Sequence, residues 1–567
     1  MKMMDAARRM GRSGWARRAH ATVLLCMGGA ARAELPAILD RVPEDAAAAL
    51  IVPELSRLDR EGAKLTAALG LTDISSLSQA AAIMGLREGL DFDGGLAIVW
   101  PASEVAFDID RAVALLPCLD GDVLLRSLGV KEPGEGTRPF QYNGVAYFAR
   151  KFDGGLVGVA TEEAVLKTFA PDPGRSSAHE RALGPRGAEI AERAPIMLMA
   201  RGDKAGELLR TWLGAAPVTD DSGAPIEGVR EWYAEAVPAL ERIAEHVRCV
   251  TIGAGASAAG LRLEAAFAFE AGSEFERLCS GARASGPLLT GLPGGRFVFA
   301  IAARLSNDAM RALLRDAVTE AENAADASDT TGLRWLASAV RAMTESQEVE
   351  SGAVAAYAQG TLPMTGLLGR CVSSWNLRES GDGTQSGFRD AFRAALQRAD
   401  SPERRTAYSA EAARVRGVAV DHWSIAGPDP NTPVMPALFG PLPVARGMLA
   451  VIPGRAVVMT VRDDELMGKA LGAADEGESI SADRSVQQLA GMLPRPSDAY
   501  VIFSVAPLTP LLGMILRDVE LPQEIAPIGA GLALREGAAH AGVFIPADVL
   551  KLALAVSEAR RNAGTGP

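Results

Sequence analysis

The sequence contains one unit twice: an apolar hairpin that runs directly into a helix with acidic residues at its start. The first copy is Val145–Phe169 and the second is Met448–Leu471. In each copy a glycine-containing turn separates two short apolar runs, which predicts a two-stranded hairpin. Thr161 in the first copy and Asp463 in the second are expected to cap the helix that follows. This repetition restricts the chain to folds that can hold the unit twice.

Three further segments recur in the same order along the chain, which indicates an internal duplication. The matched pairs are Ala49–Ser56 with Phe299–Ser306, Pro195–Met199 with Tyr500–Phe503, and Leu261–Phe269 with Ala541–Ile545. A chain of 567 residues is also too long for one ordinary core. The sequence therefore predicts an α+β protein of two similar halves, each a mainly antiparallel sheet of hairpins with helices packed on one face.

The amino terminus has the order of features found in secretory signal peptides. Basic residues precede a short apolar segment, and Ala31-Arg32-Ala33 follows as a small-x-small cleavage site. The alternative is an ordinary amphipathic amino-terminal helix. The predicted divisions are a signal peptide at 1–33, a first α+β repeat at 34–285, a second repeat at 286–562 and a disordered tail at 563–567. We therefore expect export to the periplasm or the extracellular space, with no membrane-spanning segment after cleavage.

The charge of the mature chain disfavours some partners. Removal of residues 1–33 leaves 51 basic and 69 acidic side chains, a formal net charge of −18. An acidic surface repels phosphate backbones, so nucleic acid is not an expected partner. Aromatic residues make up 5% of the chain, and carbohydrate surfaces depend on stacked aromatic rings. Carbohydrate recognition is therefore less expected than in an average protein.

Four cysteines remain after the predicted cleavage, and an oxidising compartment would permit two disulfides. They are Cys118, Cys249, Cys279 and Cys371. Cys249 begins a predicted strand and Cys279 ends the helix after the same hairpin, so Cys249 and Cys279 form the candidate disulfide. The alternative is that the thiols are buried and free, because a core of this size needs no covalent cross-link.

The sequence contains no recognisable catalytic, cofactor-binding or metal-binding motif. It has no nucleophile elbow, no phosphate loop and no His-Glu-x-x-His helix. His246 and Cys249 have ligand-like spacing but no second pair, which favours a structural histidine. Glu162-Glu163 and Asp464-Glu465 sit at equivalent helix starts, where acids are favoured by the helix dipole in any protein. We therefore predict no catalytic residue, no cofactor and no metal.

Two local patterns make definite structural predictions. Ala47–Val52 is apolar throughout, which predicts a strand covered on both faces. Around Asp421-His422-Trp423, strand alternation places Asp421 and Trp423 on one face and His422 on the other. That geometry separates the acid from the imidazole.

Gly260-Leu-Arg-Leu-Glu264 before a strand and Gly272-Ser-Glu274 at a helix start have the form seen in a group of bacterial proteins. In these signatures, and in the alternation of short hairpins with helices, the chain resembles exported bacterial proteins of unknown function. The resemblance implies a duplicated α+β architecture and supplies no activity.

These observations predict a non-enzymatic envelope protein that binds a small molecule or another envelope protein. Paired halves commonly leave a cleft, which is the default ligand site. One version is a carrier of apolar molecules, which would require an apolar cavity inside a curved sheet. The alternatives are a hydrolase whose acidic residues converge from both halves at the cleft, and a purely structural envelope component.

Overall fold

The computed structural model of the chain describes residues 35–564 with internal gaps. The residues outside the description are 1–34, 72–75, 84, 87, 102–110, 143, 172–175, 203, 205–243, 281–287, 328–340, 342–348, 359–368, 379–383, 399–403, 428–442, 474–477, 510–512, 514–524 and 565–567. The predicted signal peptide and the predicted boundary at 285/286 therefore lie outside the described residues. The last helix runs to Gly564 and includes the first two residues of the predicted tail.

The described residues form nineteen strands in one sheet. The first nine are β1 Ala48–Val52, β2 Leu96–Trp100, β3 Val113–Pro117, β4 Arg138–Tyr142, β5 Val145–Phe152, β6 Leu156–Ala160, β7 Ile196–Arg201, β8 Val247–Ser257 and β9 Gly260–Phe269. The others are β10 Phe297–Arg304, β11 Val349–Tyr357, β12 Cys371–Leu377, β13 Arg405–Val415, β14 Val418–Ala426, β15 Val444–Ile452, β16 Arg455–Met459, β17 Ala499–Phe503, β18 Ile528–Arg535 and β19 Ala538–Pro546.

Eleven described α-helices accompany the sheet. They are α1 Leu55–Leu69, α2 Leu77–Ile83, α3 Gly121–Ser127, α4 Glu163–Thr168, α5 Ser176–Arg193, α6 Glu274–Ser280, α7 Asp308–Ala327, α8 Thr384–Arg398, α9 Asp464–Gly472, α10 Arg484–Met492 and α11 Ala547–Gly564. Helix α5 consists of two helical segments, because Gly184 turns the chain with a φ of 66°, a value that glycine adopts without strain.

Every neighbouring pair of strands is antiparallel. From edge to edge the order is β13-β14-β15-β16-β12-β11-β10-β17-β18-β19-β9-β8-β7-β1-β2-β3-β6-β5-β4. The mixed helix and antiparallel sheet of the α+β prediction is therefore confirmed.

Both predicted hairpin–helix units form, as β5-β6-α4 and β15-β16-α9. Asp463 caps α9 as expected, because its carboxylate accepts a hydrogen bond from the Leu466 N–H at 2.9 Å. In the first unit the cap position belongs to Glu162 and not to Thr161, and the Glu162 side chain makes no capping bond.

Helices cover both faces of the sheet, which corrects the prediction of one covered face. On β1, Ile51 packs in a core with α4 and α5, while Val52 packs in a core with α1, α2 and α3. On β11, Ala355 packs with α9 and α10, while Ala356 packs with α8. Neighbouring strand residues point to opposite faces, so strands that are apolar on both sides require two covering layers. The predicted two-sided burial of β1 is confirmed. We call the side with α4, α5, α9 and α10 face A, and the other side face B.

The two parts of the sheet meet where β9 pairs with β19, and we call this ladder the seam. Gly260 pairs with Pro546 at one end, Ala268 pairs with Ala538 at the other, and Glu264 lies opposite Gly542 in the middle. Helices α6 and α7 pack over the seam on face B in one shared core. The two parts are thus joined edge to edge by the β9–β19 ladder and by the core that α6 and α7 share over it.

Candidate functional site

Face B carries a continuous row of apolar side chains where β10, β17, β18, β19 and β9 lie side by side. The row consists of Ile301, Val501, Ala530, Val543 and Leu263, and each residue is the direct cross-strand partner of the next. Directly paired residues of antiparallel strands point to the same face. Five neighbouring strands span about 19 Å at the usual strand spacing. We call this row the apolar floor.

The floor is accessible to solvent although it lies in the middle of the sheet. Val501 is 49% exposed, Leu263 48%, Ile301 42% and Val543 36%. Phe503, the next residue on the same face of β17, is 38% exposed. Single exposed apolar residues are ordinary, but a contiguous group of them marks an interaction surface.

Helices flank the floor along the strand direction. On β18, Ala530 belongs to the floor, and Leu532 beyond it packs in the core formed by α6 and α7. In the other direction, Ile528 packs against a small core cluster that includes Leu552 of α11. An α-helix with its side chains is about 10 Å across. The floor therefore lies at the bottom of a trough between helices.

The sequence pattern of β9 predicts the opposite of the observed orientation, with the leucines buried and the charged residues exposed. Leu261 and Leu263 alternate with Arg262 and Glu264, which is typical of an apolar side turned inward and a charged side turned to water. In the structure Glu264 is 5% exposed and Leu263 is 48% exposed. The floor could not be predicted from the sequence, because the pattern of β9 does not reveal that the charged side has buried partners.

Those partners form a cluster of charged groups on face A of the seam. Arg193 Nε donates to Glu264 Oε2 at 2.9 Å, and a second Arg193 nitrogen donates to Oε1. Arg262 Nη2 donates to Oε1 at 3.0 Å, and His540 Nε2 lies 3.1 Å from the same oxygen. His540 belongs to β19, so this cluster links both sides of the seam.

Glu264 is held as a carboxylate by this cluster. Burial alone would raise its pKa, but the hydrogen bond with His540 and the positive charges of Arg193 and Arg262 outweigh burial and lower the pKa. A carboxylate that already has this many donors is a poor proton acceptor in catalysis. The cluster is therefore suited to holding the seam together.

A small cavity of about 270 Å³ adjoins the cluster. Its lining includes Glu61 and Glu264 from before the seam, and Met492 and Phe544 from after it. A hydrolase with acids from both parts of the chain would need a carboxylate from the second part here. Among the described residues that line this cavity, the second part contributes none.

A larger cavity of about 970 Å³ lies at one end of β1, β7 and β8. Its interior surface includes the buried side chains of Ala46, Met199 and Cys249. His179 also lines it and is fixed by a 2.8 Å contact between its Nε2 and the Val42 carbonyl oxygen. The volume falls within the range of small-molecule sites.

The mouth of this larger cavity carries charges of both signs. Arg201 and Arg248 lie on the strands, and Glu44, Asp45 and Glu270 lie on the adjoining loops. All five residues are exposed. A ligand would therefore meet both cations and anions at the entrance.

The four described cysteines are buried free thiols. Burial raises the pKa of Cys249 to about 11 and that of Cys279 to about 12, so neither is a ready nucleophile. Cys249 packs in the face A core with α5, while Cys279 packs in the face B core of the seam. The sheet lies between the two side chains. The Cys249–Cys279 disulfide thus remains a prediction without support from this structure.

The other candidates from the sequence lie apart from one another. Glu163 pairs with Lys167 at 2.9 Å on α4, and Glu465 pairs with Lys469 at 2.7 Å on α9. His246 contacts the ring of Phe275, with 5.5 Å between ring centroids. The described parts of the chain contain no group of three His, Cys, Asp or Glu side chains that could hold a metal ion.

Asp421 and Trp423 share a face as the alternation predicts, and both contact α8. Arg389 Nε donates to Asp421 Oδ2 at 3.0 Å, and Phe392 packs edge-on against Trp423 with 6.1 Å between centroids. Asp421 also accepts from the Tyr408 hydroxyl at 2.5 Å and from the Glu411 N–H at 2.8 Å. Its carboxylate is occupied by structural bonds.

Among the helices in the described ranges, none has the length and apolar character needed to cross a membrane.

Comparison with known proteins gives no family. No protein-family model matches the chain, and no curated protein matches it. Two crystal forms of the protein TP0453, forms I and III, align with 48% of this chain and with 98% and 100% of their own length. Each is 8% identical with a TM-score of 0.22. At that score the likeness carries no argument about fold or function.

Proposed function

We propose that this chain is an exported, non-enzymatic binding protein for an apolar small molecule, which lies on the apolar floor. The observation that carries the proposal is the exposure of Leu263, Ile301, Val501 and Val543 in one unbroken row. Export is supported by the order of charge, apolar segment and small residues at the amino terminus.

The free energy available from the floor suits ligand binding. Full burial of one large apolar side chain contributes about 1.5–3 kcal/mol. The exposed fractions of the four bulky floor residues and of Phe503 amount to roughly two whole side chains. Covering them would contribute about 3–6 kcal/mol from the protein side alone. The ligand's own apolar surface would add to this, so micromolar affinity is within reach.

The size and depth of the floor favour a small molecule over a protein partner. Each partner in a stable protein interface buries about 800 Å², whereas the floor offers on the order of 200 Å² of exposed apolar side chain. The flanking helices α6, α7 and α11 also rise above it. A slender apolar molecule can reach the bottom of such a trough, whereas a flat protein surface cannot.

We also infer that the chain arose by duplication of one α+β unit. The order β4-β5-β6-β3-β2-β1-β7-β8-β9 corresponds strand by strand to β14-β15-β16-β12-β11-β10-β17-β18-β19, and β13 is an addition. Helix α6 contacts α7, and its counterpart α11 contacts α1. The four sequence matches fall on corresponding elements, which supports this inference.

Replacement of Val501 by Thr tests the floor. The change keeps the shape of a β-branched side chain and places a hydroxyl on the floor. Burying that hydroxyl under an apolar ligand without a partner costs about 1 kcal/mol or more. The affinity of the mature chain for the fluorescent apolar probe N-phenyl-1-naphthylamine should therefore fall about fivefold, and the Val501→Thr/Val543→Thr double variant should lose about thirtyfold.

Val145→Thr is the matched control, because Val145 is 48% exposed on β5, away from the floor. This variant should bind the probe like the unsubstituted chain. Equal binding by the control and both floor variants would contradict the proposal. A change from dimer to monomer in the floor variants, measured by light scattering, would instead identify the floor as a contact between two copies of the chain.

A further inference from the structure

We propose that the cavity of about 970 Å³ is a second binding site, for a small molecule that combines an apolar body with a zwitterionic head. This cavity is separate from the apolar floor, since its walls come from the ends of β1, β7 and β8 and from α5. The inference does not depend on the function proposed for the floor.

The interior of the cavity selects for an apolar body. Small side chains such as Ala46 and Ala182 leave the space open, and Met199 supplies a flexible apolar wall. The volume equals that of about 30 water molecules, which exceeds a single amino acid and suits a short peptide or a similar amphipathic molecule.

Among the described residues of the interior, the two side chains with reactive groups are not placed for catalysis. The Cys249 thiol is 2% exposed and stays protonated. His179 is committed to the backbone carbonyl of Val42. Neither group is therefore placed to activate a nucleophile.

The charged residues at the mouth of the cavity favour a ligand whose head group carries one positive and one negative charge. A purely anionic ligand would gain from Arg248 but would be repelled by Asp45 and Glu270. A purely cationic ligand would be attracted by the acidic residues and repelled by Arg248. A molecule with one positive and one negative group can pair with both sets, as the two free termini of a short apolar peptide or the head of a zwitterionic lipid would.

Calorimetric titration of the full mature chain with two tripeptides tests this. Leu-Leu-Leu with free termini should bind, and the same peptide with an acetylated amino terminus and an amidated carboxyl terminus should bind at least about tenfold more weakly. Dihexanoyl phosphatidylcholine, titrated separately, distinguishes a lipid head from peptide termini as the source of the two charges.

Two substitutions locate the binding. Arg248→Gln removes an exposed cation from the mouth and should weaken tripeptide binding about tenfold, whereas Arg60→Gln on α1 should change it by less than about twofold. Ala178→Phe should fill part of the cavity and block binding, whereas Ala63→Phe on the exposed side of α1 should not.

Three results would each overturn the proposal: no binding of either zwitterionic probe, equal binding of the free and capped tripeptides, or unchanged binding in both Arg248→Gln and Ala178→Phe. Val501→Thr should leave tripeptide binding unchanged. Failure at the floor and failure at this cavity are therefore separate outcomes.

Discussion

Replacement of Glu264 by Gln is the most direct test of how the seam is held. The change keeps the size and shape of the side chain and removes its charge. Glu264 is 5% exposed and contacts two arginines of the first part of the chain and His540 of the second. The amide would leave Arg193 and Arg262 without their buried counter-charge.

The expected loss of stability depends on how far the side chains of Arg193 and Arg262 are exposed to solvent. Removing one member of a buried ion pair costs about 3–5 kcal/mol when the other charge stays buried. The side chains of Arg193 and Arg262 are 30% and 26% exposed, so both recover part of their hydration. We therefore expect Glu264→Gln to lower the free energy of unfolding by about 2–3 kcal/mol.

Urea denaturation followed by circular dichroism and by tryptophan fluorescence measures this loss. Glu465→Gln is the control, because the Glu465 side chain is 80% exposed in its pair with Lys469 and such pairs contribute less than about 1 kcal/mol. A loss below about 1 kcal/mol for Glu264→Gln would refute the role given to the cluster.

The contribution of Glu264 to stability is expected to depend on pH. The pKa of Glu264 is lowered in the folded chain, so its contribution to stability is fully present above the usual carboxyl pKa of about 4.3. That contribution disappears as the pH falls through the lower folded value. The difference in stability between the unsubstituted chain and Glu264→Gln should therefore be constant from about pH 6 to 8 and shrink below about pH 4. A difference that grows on acidification would contradict this.

Three further outcomes are expected. The chain without residues 1–33 should show four reactive thiols after denaturation without a reductant and almost none before it, because Cys118, Cys249, Cys279 and Cys371 are buried and free; a count of two would indicate one disulfide, as the predicted Cys249–Cys279 pair requires. A protease site introduced at 281–287 should yield a cleaved chain whose two fragments elute together on size exclusion, since the β9–β19 ladder and the core under α6 and α7 join them; separate elution would contradict this. Gly253→Ala should lower the free energy of unfolding by about 1–3 kcal/mol, because an added Cβ would lie 2.4 Å from Ile190 Cγ2, whereas Gly62→Ala, with nothing within 4 Å, should raise it by about 0.5–1 kcal/mol.

Local pattern predicted those parts of the fold that local chemistry determines. The glycine turns and apolar runs predicted both hairpin–helix units, and the carboxylate acceptor of Asp463 at the helix start predicted the cap of α9. Alternation placed Asp421 beside Trp423. In each case the deciding interaction joins residues that are close in sequence or share one strand, so the sequence carries the information directly.

The arrangement of the sheet depends on partners that are distant in sequence. The sequence pattern did not predict which strand pairs with β9 or which side of β9 is buried. Nothing local in β9 indicates that its edge pairs with β19, because every antiparallel edge offers the same backbone groups. Once that pairing exists, Arg193 and His540 reach Glu264 from two sides, and the charged side of β9 becomes the buried one. Leu263 lies on face B beside Val543, between the parts of that face that α6, α7 and α11 cover. The continuity of the apolar floor therefore depends on the seam, because Leu263 and Val543 are paired across it. A substitution that separates β9 from β19 should abolish binding at the floor together with the ion cluster, although no floor residue has changed.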